Sequence, residues 1–134
     1  MKLRRKDALL IATAAIVASL AAAGCGERGA SPEAAFKAFY EAALGRDVEG
    51  MKKRLSKSSL DYFEEMARAA RKSTDEGLLA NAEAIGQRMP ETRNEKIEGD
   101  AATLEFKNET TGRWETVAFV REDGAWKLAL ARGR

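Results

Sequence analysis

Asp61 and Glu65 stand four residues apart, one helical turn, and Glu122 and Asp123 are adjacent, so these are the carboxylate pairs that could do acid–base work. The first pair reads as a solvated helix face and the second as part of a turn before Gly124. Neither has the D-x-D-x-D-G spacing of a calcium loop. No histidine occurs in the 134 residues and Cys25 is the only cysteine, which excludes histidine-dependent triads, cysteine–histidine dyads, His/Cys zinc centres and a disulfide within one chain. Gly45-Arg46-Asp47-Val48-Glu49-Gly50 has phosphate-loop spacing, but Met51 stands where that motif needs its lysine. No cofactor and no metal are expected.

Two clusters invite a binding role instead. Lys52, Lys53, Arg54 and Lys57 gather on one helix and its exit. They read either as a solvent face, with Asp47 and Glu49 nearby, or as contacts to anionic headgroups worth about 1 kcal/mol each at a membrane surface. Phe36, Phe39, Tyr40, Tyr62 and Phe63 lie on helical faces, where they either pack a core or line a small apolar pocket.

Charge points to the N terminus. The chain carries a net +2, yet Lys2, Arg4, Arg5 and Lys6 against Asp7 place three positive charges there, leaving the remainder at −1. Nucleic acid is therefore not an expected partner. Ala8 to Ala23 follow as sixteen residues interrupted only by Thr13 and Ser19. A basic start, a short apolar run and small residues at its end make a secretory signal, and a helix of that length reaches roughly 24 Å, short of a hydrocarbon core of about 30 Å. Ala22-Ala23-Gly24-Cys25 resembles the lipobox of bacterial lipoproteins. That resemblance implies cleavage after residue 24, acylation of Cys25, and export to the cell envelope with the domain held on the non-cytoplasmic side of a membrane. The lipidated tether would be residues 25–30 and the folded domain residues 31–134. Ordinary secretion with a free thiol is the alternative.

The elements of the domain are written locally. Ser31-Pro32-Glu33 combines a hydroxyl cap, proline at the first helical position and an acid in the first turn, and Phe36, Phe39, Tyr40 and Ala43 then recur at helical spacing up to Gly45. Asp47 caps a short second helix carrying Val48, Met51 and Leu55. Ser58 with Asp61 predicts the start of a third, bearing Leu60, Phe63, Ala67 and Ala70. A fourth carries Leu78, Leu79, Ala82, Ile85 and Met89 and is predicted to end at Pro90. Beyond Pro90 the period becomes two: Ala102, Leu104 and Phe106 alternate with polar residues, Trp114 to Arg121 forms a second strand, and Trp126, Leu128 and Leu130 mark a third. Asp123-Gly124 is a hairpin turn, and Glu91 to Glu98 supplies a weaker strand. Helices followed by antiparallel strands predict an α+β fold with the helices packed on one face of about four strands.

The Ser-Pro-Glu helix with its Phe39-Tyr40 pair, the Gly45-Arg46-Asp47 link and the closing Val120-Arg121-Glu122-Asp123-Gly124-Ala125-Trp126-Lys127-Leu128 hairpin resemble the small bacterial lipoproteins of uncharacterised function in the nuclear transport factor 2-like, or cystatin-like, superfamily. The resemblance implies a cone-shaped domain with a curved antiparallel sheet around helices. It implies no single activity, because such scaffolds host enzymes, carriers and assembly domains. Three functions follow as expectations: a non-catalytic envelope lipoprotein binding a small apolar ligand or an envelope protein; an isomerase or cyclase with a buried carboxylate; or an interaction protein that forms a homodimer.

Overall fold

A computed structural model describes residues 30–130. Cys25, the signal segment and nearly all of the tether lie outside those residues. Four helices come first: α1 (Pro32–Leu44), α2 (Val48–Arg54), α3 (Lys57–Ala69) and α4 (Thr74–Ile85). Four strands follow: β1 (Thr92–Glu98), β2 (Ala101–Lys107), β3 (Trp114–Glu122) and β4 (Ala125–Ala129), paired antiparallel in chain order. The fold is α+β, with the helices on one face of a four-stranded meander, the layout that the change of period after Pro90 predicted.

Side chains set each helix start. The Ser31 hydroxyl accepts the Ala34 N–H at 3.0 Å, and Asp47 accepts the Gly50 N–H at 3.0 Å. Gly50 is required there, because a Cβ would meet the capping carboxylate of Asp47 and stand 3.0 Å from the Ala42 Cβ. The third helix starts earlier than the Ser58–Asp61 pattern suggests: its cap is Ser56, which accepts the Ser59 N–H at 3.1 Å. Ser56 wins because its own N–H donates to the Leu128 carbonyl at 2.9 Å, anchoring the turn on β4. Ser73 and Glu76 form a reciprocal capping box on α4. That helix ends at Ile85 rather than at Pro90, since Gly86 takes φ 103° and ψ −171°, a conformation suited to glycine. Met89 therefore falls beyond the helix.

Strand alternation then builds the interior. Register pairs Ala102 with Phe119, Leu104 with Val117, and Phe119 with Leu128, so these residues share the helix-facing side. Phe36, Phe39, Met51, Leu78, Leu104, Phe119 and Leu128 are each at most 3% exposed. Each such side chain contributes about 1.5–3 kcal/mol on burial. The centre of the domain is thus filled with side chains. On β1 a bulge between Arg93 and Lys96, with Asn94 at φ 54°, re-aims the strand across the start of α1. Glu95 there accepts the Glu33 N–H at 2.8 Å, and Thr92 donates to the Glu33 carboxylate at 2.8 Å. The hairpin between β3 and β4 turns through Asp123 and Gly124, both at positive φ as a type I′ turn demands.

Candidate functional site

Where α1 and α4 meet the far end of the β2–β3 pair, a cleft of about 210 Å³ opens. Its walls are Tyr40 from α1, Asn81 and Ile85 from α4, Pro90 after it, and Phe106 and Glu115 from the sheet. Register explains why an acid stands there: Glu115 pairs with Phe106, so it shares the face of Val117 and Phe119 and points to the helices. The strand narrows in burial toward this end, and Glu115 is exposed.

Tyr40 is the buried polar group of the cleft. It is 8% exposed, its ring centroid lies 4.5 Å from that of Phe36, and Phe36 in turn lies 5.4 Å from Phe106. Its hydroxyl has no hydrogen-bond partner among the described residues. Burial, and after it the Glu115 carboxylate, push the phenol above its ordinary value, so it stays neutral and able to donate across the physiological range.

The surrounding charges are mostly matched. Arg88 contacts Glu109 at 3.0 Å. Lys107 also borders the cleft; alternation gives it to the opposite sheet face, and its ammonium lies 3.9 Å from Glu91. Glu115 accepts from the neutral Asn108 amide at 3.0 Å. Asn108 is itself held by the loop, accepting the N–H groups of Thr110 and Thr111 at 2.9 and 3.1 Å.

The five aromatic candidates do not converge on one pocket. Phe36 and Phe39 fill the core, and Tyr40 faces the cleft just described. Tyr62 and Phe63 instead line an open groove of about 520 Å³ between α3 and α4, with Ala70, Leu130 and the 53%-exposed Met66. Asn81 borders both spaces. Glu115 and Asn81 went unrecognised in the sequence, although the alternation Glu115, Val117, Phe119 already places an acid in line with an apolar strand face.

The basic candidates lie at and beyond the end of α2 with unequal freedom. Lys52 binds Asp75 at 2.6 Å and Glu49 at 3.3 Å, and the hydrogen bond to Asp75 is the chief reason its ammonium titrates higher than usual. Lys53 is exposed, Arg54 is half-buried, and Lys57 stands 4.0 Å from Asp61. Asp61 and Glu65 sit on the exposed face of α3. Among the described residues no cluster of three or more metal-ligating side chains occurs, and no helix is long and apolar enough to cross a membrane.

No protein-family model matches the chain, and no curated protein does. Among solved structures it is similar to a 2.00 Å crystal structure of a Campylobacter jejuni protein provisionally named an NTF2-like transpeptidase, at a TM-score of 0.48 and 16% sequence identity, covering 75% of this chain and 98% of that one.

Proposed function

We propose that this chain is an exported lipoprotein, held at the bacterial cell envelope by an acylated Cys25, whose domain binds a small ligand without catalysis at the cleft between α1, α4 and the β2–β3 end. The observation that carries the binding reading is the placement of Tyr40, a largely buried residue whose hydroxyl opens on that cleft with no hydrogen-bond partner among the described residues. A ligand group there would restore the missing hydrogen bond. The filled interior argues against a long apolar guest inside the cone, and about 210 Å³ suits a ligand smaller than the usual occupants of 300–1,000 Å³ pockets. A non-catalytic role is supported by the state of the cleft carboxylates, since Glu109 and Glu115 are exposed and hydrogen-bonded to Arg88 and Asn108. Two or three acyl chains on Cys25 would hold the domain against the headgroups, within the roughly 20 Å that five extended residues span. Exposed Lys53 and Lys57 are then the basic side chains that face outward toward a bilayer.

Native mass spectrometry of the full chain released from a non-ionic detergent tests the binding reading. An excess mass that vanishes on denaturation supports it. An unliganded dimer would replace it with a homodimeric interaction protein, and an unliganded monomer with a protein-partner role. Anchoring is tested separately, because labelled palmitate remaining on Cys25→Ala would overturn it.

A further inference from the structure

We infer that the cleft at Tyr40 selects a small organic cation, an ammonium group carrying a compact apolar body. This rests on the cleft being the binding site and adds the class of its ligand. The field inside the cleft decides the sign. Arg88 is matched by Glu109 at 3.0 Å, and Lys107, which borders the cleft although alternation gives it to the opposite face of β2, is matched by Glu91 at 3.9 Å. Glu115 remains, a carboxylate whose partner is a neutral amide at 3.0 Å, so the helix-facing side of the cleft carries one unmatched negative charge. The upward push that Glu115 exerts on the Tyr40 phenol is the same field felt by a neighbour already in place.

The walls supply the rest of an ammonium site. Tyr40 and Phe106 present aromatic rings, joined through Phe36 into one cluster of mutually tilted rings, and aromatic faces attract cations. The phenol oxygen can accept an ammonium N–H, and Ile85 and Pro90 offer apolar surface to the carbon body. An anion would meet Glu115 with no unmatched cation to hold it. A neutral guest would gain the hydrophobic contact and leave the charge unused. The approach is not blocked by sequence-local structure, because the cleft opens beside the exposed loop from Glu109 to Gly112.

The experiment is a titration of the full chain in non-ionic detergent with tert-butylammonium chloride and, separately, with the near-isosteric neutral alcohol tert-butanol, read by the ring chemical shifts of Tyr40 and Phe106. The expected result is that the ammonium binds about tenfold more tightly than the alcohol. Glu115→Gln, which keeps the shape and the Asn108 contact, is expected to remove that preference while leaving the affinity for the alcohol unchanged. Tyr40→Phe is expected to weaken the ammonium without altering the fold. Equal affinity for the two probes, or an ammonium preference that survives Glu115→Gln, overturns the cation proposal and leaves the cleft as a binding site. Ring shifts at Tyr40 and Phe106 that move with neither probe overturn both the proposal and the reading beneath it.

Discussion

Ser59 donates its hydroxyl proton to the Leu128 carbonyl at 3.0 Å and accepts the Leu130 N–H at 2.9 Å, so one serine on α3 holds both sides of the end of β4. Because that proton is committed to Leu128, the 2.8 Å contact between Ser56 and Ser59 must have Ser56 as donor. Both serines are at most 1% exposed. Ser59→Ala is expected to cost about 1–3 kcal/mol by leaving the Leu130 N–H and the Ser56 hydroxyl without this partner. A urea midpoint unchanged from the parent protein would show that the network contributes nothing.

Glu33 connects the first helix to the first strand. Its hydrogen bond with Lys37, then that from Thr92, holds its carboxyl below the ordinary value of 4.5. The sign follows from linkage: the folded state binds the proton less well than the unfolded one, so the contribution is present above 4.5 and is lost as pH falls through the lower, folded value. Glu33→Gln should therefore be less stable than the parent at neutral pH, with the gap closing in acid below pH 4.5. A gap that is constant from neutral to acid pH would contradict this.

Two glycines at either end of α4 should respond oppositely to alanine. Gly86 sits at φ 103°, where a side chain is strained, and Gly86→Ala is expected to destabilise by about 1–3 kcal/mol. Gly77 lies within the helix, and an added Cβ would reach ordinary contact distance, 3.4 Å from the Ala67 Cβ. Gly77→Ala is expected to stabilise by up to about 0.5–1 kcal/mol. Thermal melts of the two variants decide it, and a matching direction of change would refute the assignment of strain to Gly86.

For Tyr40 the folded phenol titrates above its ordinary value of 10.0, from burial first and from Glu115 second. The stability this represents is complete below pH 10.0 and declines as pH rises through the folded value. In ultraviolet difference titration Tyr40→Phe should remove a late phenolate component, and Glu115→Gln should move it down only part of the way. Loss of the whole upward displacement in Glu115→Gln would mean that charge, not burial, governs this group.

Much of this architecture was legible without a structure, because caps and periodicity are local. Ser31 and Asp47 act where their neighbours say they should, Asp123-Gly124 makes the turn its dihedral freedom allows, and the alternation of Ala102, Leu104 and Phe106 survives in the register. The boundaries that moved were those set by distant partners. Ser56 rather than Ser58 caps α3 because β4 reaches back to its backbone, and α4 stops at Gly86 because that glycine takes a conformation the following residues cannot extend.

The candidate site belongs to the second kind. The helical spacing of Phe36, Phe39 and Tyr40 determined that they share one face, and strand parity determined that Glu115 lies in line with Val117 and Phe119. Only tertiary packing decided that Phe36 and Phe39 close the interior while Tyr40, one turn on from Phe36, reaches its edge with Glu115 opposite. The physical reason is that a period assigns a residue to a face, whereas the depth at which a face is covered depends on where α4 and the β2–β3 end come to rest against it.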